Sequence, residues 1–281
     1  MRLAHRTVWA LPVVIALVAG VVAGDEPRRE RVVFSIDLRA PRVVAPPIEA
    51  AVRRLAGVLE RELGLPMPPR VTLYVYGSRE RFRQGLVLDA AVAPAVAAAY
   101  ADFALGVAVP QTFFLRAGGP EWLKGDDTLR LIAHELAHLG QIELAHGEGR
   151  GVQWLAEGMA EWSAFAALDR LRAGTLAGYR LAVLPGVRAQ VTAWPRLDLA
   201  GLDAPAEFLA RHRRDGTLAT YHLAFALVDY LVGRNGWPAM LDYYRAFETS
   251  TNADENFVSA FGLTVDAFER EVVVHLTAPR V

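Results

Sequence analysis

The chain contains two histidines four positions apart, with a glutamate directly after the first. His134, Glu135 and His138 lie in the run LRLIAHELAHLGQIEL, residues 129–144. Residues i and i+4 share one face of a helix, so both imidazoles can point at one atom. Histidines at this spacing typically bind zinc, and the adjacent glutamate serves as a general base. We therefore expect a metal site with His134 and His138 as ligands and Glu135 as the base.

The residues around this motif are apolar, which indicates that the helix is largely buried. Leu131, Ile132, Leu136 and Leu139 flank the histidines. A buried imidazole or carboxylate is costly without a partner, and a metal ion would supply one. The alternative is a chance pattern on an ordinary amphipathic helix, because short motifs carry a real false-positive risk.

A catalytic zinc needs three protein ligands and an open position. The chain has no cysteine, so the third ligand must be His, Asp or Glu. Leu144 occupies the place of a third histidine in the extended form of the motif. Glu143 points to a different helix face, and Glu148 lies in a glycine-rich turn and stays open as an alternative.

Glu157 is better placed to be the third ligand. It lies in VQWLAEGMAEW, residues 152–162, which predicts a second amphipathic helix that can return antiparallel to the first. Glu161 follows one turn later on the same face and could orient a ligating histidine. A helical carboxylate is usually solvated, but here the helix is mostly apolar, so two carboxylates need a cation.

The motif HELAH, followed by WLAEGMAEW with eighteen residues between His138 and Glu157, resembles the gluzincin metallopeptidases. The resemblance is closest to the peptidase-MA-like family and more distant to the M1 aminopeptidases, and it runs from about Asp126 to Leu276. It implies a zincin-like fold with one Zn²⁺ per chain, in which His134, His138 and Glu157 are the ligands and Glu135 is the base.

Two further segments bear on this resemblance. TYHLAFALVDYLVGRNGWPAMLDYY, residues 220–244, is similar to the helix after the zinc site, where a tyrosine donates to the oxyanion. Tyr221 matches that position, His222 is the rival, and a core role for Tyr221 stays open. M1 aminopeptidases also carry a Gly-x-Met-Glu-Asn strand, whereas LGVAVPQTFFLR has no acidic residue. Aminopeptidase activity is therefore not expected, although an edge strand there could still pair with an extended peptide.

Hydrophobic patterning predicts an α+β fold, with a small N-terminal mixed sheet and helices followed by a helical half that carries the zinc-site helices. Residues 180–214 contain several Pro and Gly breaks and give no clear pattern. The predicted strands are 32–38, 71–77, 103–109 and 112–116. The predicted helices are 46–64, 89–101, 128–145, 152–173, 220–232, 238–247, 253–261 and 265–276.

The N-terminus predicts export. Basic residues precede an apolar run, residues 8–23, and small residues close it at Ala23 and Gly24, which is typical of a signal peptide. The run is short for a membrane span, although an uncleaved anchor stays an alternative. We expect a signal peptide over 1–24, a linker and edge strand over 25–47, and a peptidase domain over 48–281, with its sheet part at 48–125 and its helical part at 126–281. The location would be periplasmic or extracellular, and membrane contact would come only through that anchor.

Composition narrows the possible functions. The chain has 281 residues, 53% of them hydrophobic, and a formal net charge of −1. This balance gives no electrostatic basis for nucleic-acid binding. The favoured hypothesis is a zinc-dependent metallopeptidase that hydrolyses peptide or protein substrates with a metal-activated water and Glu135 as general base. The alternatives are a non-catalytic envelope protein braced by zinc and a metal-free module that binds peptide at a sheet edge.

Overall fold

The computed structural model describes residues 31–39, 47–116, 126–147, 150–194 and 196–278, together with the backbone of 13–15. The predicted signal segment 1–24 lies outside the described residues except for 13–15, and so does most of the predicted linker. Within the described parts, no helix is both long and apolar enough to cross a membrane.

Five strands form one mixed sheet. Their order is β1-β4-β5-β3-β2. Strand β2 is antiparallel to β3, β3 is parallel to β5, β5 is antiparallel to β4, and β1 pairs in parallel with β4. The strands are β1 Val13–Ile15, β2 Arg31–Asp37, β3 Arg70–Tyr76, β4 Gly106–Val109 and β5 Thr112–Arg116. The predicted strands 32–38, 71–77 and 112–116 are confirmed within one residue, whereas 103–109 begins three residues too early because α3 extends to Phe103. Strand β1, inside the predicted signal segment, was not predicted, and the small sheet is mixed as expected.

Helices cover both faces of this sheet. Leu73 and Leu115 point to the core shared with α1 (Pro47–Leu63), whereas Phe114 points to α2 (Arg79–Leu88) and α3 (Pro94–Phe103) on the opposite face. This alternation is what a pleated strand buried on both sides requires. Both faces of the sheet are therefore apolar, and helices shield both from water.

Helices α2 and α3 differ from the sequence prediction. Helix α2 was not predicted, because charged residues fill much of its first half, yet Ser78 caps it by accepting from the backbone N–H of Arg81 at 3.2 Å. Helix α3 begins at Pro94 rather than at residue 89, because Asp89 ends α2 and Ala91 takes a positive φ of 52°. The predicted helix 89–101 was therefore wrong at its start.

Eight helices follow the sheet in the described chain. They are α4 Asp126–Ala145, α5 Gln153–Arg170, α6 Leu176–Ala193, α7 Pro205–Asp215, α8 Tyr221–Asn235, α9 Trp237–Arg245, α10 Ala253–Phe261 and α11 Val265–Thr277. Helix α5 packs between α4 and α8, and α4 also lies against β4. The cluster of buried residues around α5 is continuous from Ile36 in the sheet to Leu276 in the last helix. The mixed α+β class predicted from the sequence is confirmed.

Residues 180–214 gave no clear pattern, yet they hold most of α6 and all but the last residue of α7. Pro185 lies inside α6 on its exposed side, where water can satisfy the carbonyl group that the proline leaves without a donor. Helix α7 begins with Pro205 at its first turn, a position where proline is favoured. The prolines in this region are therefore compatible with helix and do not mark loops.

Candidate metal centre

Helix α4 places the two motif histidines one turn apart on the side that faces α5. His134, Glu135 and His138 are each fully buried. Glu157, on α5, is fully buried as well and reaches across to the histidines. The predicted spacing therefore brings three donor groups together, two from one helix and one from its neighbour.

Three atoms of these residues form a small triangle. The Nε2 atoms of His134 and His138 are 3.0 Å apart, and Glu157 Oε2 lies 3.3 Å from the first and 3.6 Å from the second. A tetrahedral zinc with bonds of about 2.0–2.1 Å separates its ligand atoms by about 3.3–3.4 Å. The three edges lie around this value, so the residues fit one face of a zinc tetrahedron.

Hydrogen bonds on the far side of each imidazole determine which nitrogen faces this triangle. His134 Nδ1 lies 2.9 Å from Glu161 Oε2, and an ionised carboxylate only accepts, so Nδ1 carries the proton. His138 Nδ1 lies 2.9 Å from Gln141 Oε1, while the amide of Gln141 donates to the Ala156 carbonyl. Neutral imidazoles held in this way direct the lone pairs of both Nε2 atoms into the triangle.

Glu157, the proposed third ligand, is also held in place by a hydrogen bond. Gln153 donates to Glu157 Oε1 at 2.6 Å, which leaves Oε2 to face the histidines. Two lone pairs and a carboxylate oxygen at these separations repel one another unless positive charge lies between them. The arrangement therefore calls for a cation or a proton.

The pKa values of the cluster agree with this requirement. Burial alone would lower the pKa of His134, but hydrogen bonds to Glu157 and Glu161 outweigh it and raise that pKa to about 9. Burial lowers the pKa of His138. Burial would raise the pKa of Glu157, but its bonds to both histidines lower it. Without a metal, the raised pKa of His134 indicates that a proton on its Nε2 supplies the positive charge beside Glu157, and a bound metal would replace that proton.

Glu161 is surrounded by donors. Arg130 Nη1 lies 2.7 Å from both of its oxygens, and the Tyr179 hydroxyl donates to Oε1 at 2.7 Å. Burial would raise the pKa of Glu161, but the charge of Arg130 and the bonds from His134 and Tyr179 lower it to about 2. Glu161 therefore stays ionised and accepts from His134 Nδ1, and its role beside a bound metal stays a prediction.

Glu135 stands apart from this network. Neither of its carboxylate oxygens has a hydrogen-bond partner among the described residues, and burial raises its pKa well above the ordinary value. Its carboxylate lies against Gly106 at the start of β4, where an added Cβ would come within 1.9 Å of Oε1. An unsatisfied buried carboxylate beside a metal-ligand triangle is a group placed to accept a proton.

The other predicted site residues lie around the edge of the cluster. The Tyr221 ring packs edge-on against Phe208 and His212. His222 contacts the Tyr179 ring, and its Nε2 is buried with no hydrogen-bond partner among the described residues. Of the other acidic residues considered, Glu143 is half-buried and outside the metal-ligand triangle, and Glu148 lies outside the described residues.

Two side chains that the sequence did not single out interact electrostatically with Glu157 from other elements. Burial and the Glu157 charge raise the pKa of Tyr100, on α3, to about 12. Burial lowers the pKa of His212, on α7, against the same charge. His212 Nδ1 lies 3.0 Å from the Thr220 hydroxyl, which itself donates to the Gly216 carbonyl, so Nδ1 carries the proton and Nε2 keeps its lone pair.

Several residues that complete the cluster were not found from the sequence. They are Gly106, Arg130, Gln141, Gln153 and Tyr179. Gln141 and Gln153 could have been found, because each lies at helical spacing from the residue it holds. Arg130 contacts Glu161 on α5, but it also lies at helical spacing from His134, four positions before it. Gly106 and Tyr179 come from β4 and α6, which are distant in sequence.

Comparison with protein-family models, with curated proteins and with solved structures gave no match to this chain. The resemblance to gluzincins therefore stays a prediction from two short motifs. The geometry of the site offers three converging donor atoms and one buried carboxylate without a hydrogen-bond partner among the described residues.

Proposed function

We propose that this protein is a zinc-dependent hydrolase of peptide bonds, with His134, His138 and Glu157 holding one Zn²⁺. The observation that carries the proposal is the triangle of donor atoms, whose edges of 3.0, 3.3 and 3.6 Å suit a tetrahedral ion. The fixed tautomers support it, because both imidazoles direct lone pairs inward. Nitrogen and oxygen donors without cysteine match catalytic zinc sites, which use three such ligands.

Zinc bound there would supply Lewis-acid activation of a water molecule and of the scissile carbonyl. The protein's own contribution to proton transfer is Glu135, whose unpartnered oxygens can take a proton and later return it to the leaving amine. A zinc that only braces a fold closes all four positions and needs no base. The free carboxylate of Glu135 therefore favours catalysis.

We propose Tyr221 as the donor to the oxyanion, with His222 as its rival. One well-placed donor is worth roughly 3 kcal/mol in the transition state. We expect Tyr221→Phe to lower kcat by about 100-fold with little change in KM, and His222→Gln to lower it less.

The sheet edge next to Glu135 supports a peptide as substrate. Strand β4 begins at Gly106, against the Glu135 carboxylate, and pairs with the three-residue strand β1 on its outer side. This edge therefore accepts an extended chain through main-chain hydrogen bonds. If residues 1–24 are a signal peptide, as we propose, export would remove β1 and leave β4 open to substrate. The N-terminal residue of the exported protein, read by mass spectrometry, tests this part.

The deciding experiment combines metal content with hydrolysis of a quenched peptide library. We expect one zinc per chain in the wild type and in Glu135→Gln, with hydrolysis in that variant reduced by about 10²–10⁴-fold. His138→Ala should lose the metal. Glu143→Gln is the matched control, because it removes a half-buried carboxylate from the same helix outside the triangle. Full activity in Glu135→Gln would make the base assignment wrong.

A second candidate function is a zinc-braced protein without catalysis. The observation that favours it is the complete burial of His134, His138, Glu157 and Glu135. Cobalt substitution separates the two candidates. A visible spectrum that changes on adding a small anion indicates an exchangeable fourth position and supports the hydrolase, whereas an unresponsive spectrum supports the braced site.

A further inference from the structure

We infer that Arg130 and Tyr179 are positioning residues for the metal centre: together they hold Glu161 so that it fixes the orientation and tautomer of His134. This inference rests on the proposed metal site and assigns two residues outside the ligand set. It predicts that Arg130 and Tyr179 affect the affinity for the metal, and that they act on His134 and not on His138.

The contacts that carry this inference form one chain of buried groups. Glu161 receives Arg130 Nη1 on both oxygens at 2.7 Å, the Tyr179 hydroxyl on Oε1 at 2.7 Å, and His134 Nδ1 on Oε2 at 2.9 Å. The side chain of Arg130 is 5% exposed and that of Glu161 is 2% exposed. Glu161 is thus bound by three side chains from two helices, α4 and α6, which hold its carboxylate against His134.

Packing fixes the two donors as well. The Phe165 ring stacks on Tyr179 with centroids 3.5 Å apart, and the Arg130 guanidinium lies 5.9 Å from the same ring. Phe165, one turn after Glu161 on α5, therefore contacts both donors. The arrangement locks α4, α5 and α6 together around a single carboxylate.

A purely structural role accounts poorly for Arg130. The Nη2 atom of Arg130 is buried without a hydrogen-bond partner among the described residues. Its desolvation is therefore a cost that no hydrogen bond there offsets. Buried ion pairs seldom stabilise a fold better than apolar side chains of the same size would. What a neutral side chain could not provide is a charged donor placed 2.7 Å from both oxygens of Glu161, which holds that carboxylate in place to accept from His134 Nδ1.

The two histidine ligands differ in this respect. His134 is supported by a carboxylate that is itself held by Arg130 and Tyr179, whereas His138 is supported by the neutral amide of Gln141. A carboxylate acceptor makes the imidazole a stronger donor to a metal than an amide does, and loss of such partners typically weakens metal binding about 10–100-fold. Weakening the Arg130–Tyr179 support should therefore act through His134 alone.

The test uses the full exported chain with zinc and a competing chelator. We expect Arg130→Met to raise the zinc dissociation constant about 10–100-fold and Tyr179→Phe to raise it about tenfold. Arg130→Lys, which restores the charge, should recover part of the loss. Tyr230→Phe is the matched control, because its hydroxyl donates to Glu271 at 2.6 Å away from the site, and we expect a change below about twofold.

Nitrogen-15 NMR of the zinc-loaded protein gives a readout that folding alone does not move. In both variants the Nδ1–H resonance of His134 should shift while that of His138 stays in place. Unchanged zinc affinity in Arg130→Met and Tyr179→Phe, with the wild-type fold retained by circular dichroism, would overturn the inference. Tight zinc binding that responds as expected in a chain without any hydrolysis would refute the proposed function and leave this inference standing.

Discussion

The carboxylate of Glu135 occupies space that only glycine at position 106 leaves open. An alanine Cβ there would meet Oε1 at 1.9 Å and the carboxyl carbon at 2.6 Å. Separations this short cannot persist, so either the strand or the carboxylate must move. At the scale of single residues, the position of the proposed base is therefore set by a missing side chain on another element.

Gly106→Ala tests this dependence. We expect hydrolysis to fall by about 100-fold, because displacing a catalytic group by about 1 Å costs on that order. Zinc content should stay at one per chain, since the ligand triangle does not contact position 106. Gly77→Ala is the control, because no heavy atom lies within 4 Å of a Cβ built there. Equal activity of the two variants would show that Glu135 has room to adjust.

The sequence predicted part of this site correctly and missed another part for a physical reason. His134, Glu135 and His138 follow from helical spacing within one segment, and α5 does carry Glu157 and Glu161 beside them. Gly106 and Tyr179 could not be found in this way, because only tertiary packing brings β4 and α6 to the cluster. The roles of Glu135 as base and of His134, His138 and Glu157 as ligands stay predictions until hydrolysis and metal content are measured.

At the scale of elements, α5 is held against α8 almost backbone to backbone. A Cβ on Gly158 would lie 2.2 Å from the Ala224 carbonyl oxygen and 2.7 Å from Val228 Cγ2. Gly158 directly follows Glu157, so this close approach also sets how far the third ligand reaches towards α4. Helix packing and ligand position are therefore determined at the same place.

Gly158→Ala should destabilise the fold, because overpacking a core typically costs about 1–3 kcal/mol. Gly233→Ala offers a comparison within α8, since a Cβ there has open space and a helical Gly→Ala exchange gains about 0.5–1 kcal/mol. Urea unfolding of both variants gives the two free energies of unfolding. If Gly158→Ala is as stable as the wild type but binds zinc more weakly, then α5 has moved away from α8 to make room for the added methyl group, and the predicted loss of stability is wrong.

Prediction of the elements succeeded where helices are rich in buried apolar residues and failed where they are rich in charge or contain an internal proline. Helices α1, α4 and α5 bury many apolar side chains and were predicted within a few residues of their observed bounds. Helices α2 and α7 are rich in charge, and α6 contains an internal proline, so their patterns resemble loops. Their packing against the rest of the chain decides their structure.

At the scale of the whole molecule, Asp203 makes stability depend on pH. Its carboxylate accepts from the Trp154 indole at 3.1 Å, and its carbonyl accepts from the backbone N–H of Gln153 at the start of α5. Burial, with smaller contributions from Asp254 and Asp198, raises the pKa of Asp203 from 3.8 to about 6. The folded protein therefore holds this proton more tightly than the unfolded chain does.

The sign of the effect follows from that difference. Both states are protonated below about pH 3, and the contribution of Asp203 is lost as pH rises from the unfolded pKa of 3.8 through about 6. We expect Asp203→Asn to gain about 1–2 kcal/mol over the wild type at pH 7.5 and almost nothing at about pH 3, a value reduced because the group is partly solvated. Urea unfolding at the two pH values measures it, and an equal difference at both would contradict the assignment.

Metal removal is the second prediction at this scale. A ligand that binds only the folded state stabilises it by RT ln(1 + [L]/Kd), which is about 2.7 kcal/mol at 100 times Kd. Zinc should therefore raise Tm, and a chelator should lower it again. In His138→Ala the same additions should leave Tm unchanged. A chelator effect that persists in that variant would place the stabilising ion elsewhere.

The close packing of α5 between α4 and α8 also bears on ionic radius. Both imidazoles come from α4 and the carboxylate from α5, and Gly158 leaves α5 no space to recede. Ca²⁺ prefers six to eight oxygen ligands at about 2.3–2.6 Å, so it would need these helices to separate and would find nitrogen where it needs oxygen. Ions of the size and coordination number of Zn²⁺ or Co²⁺ need no such movement. Discrimination between metals in this protein should thus come from the stiffness of three helices, and loosening their packing should broaden the range of ions that bind.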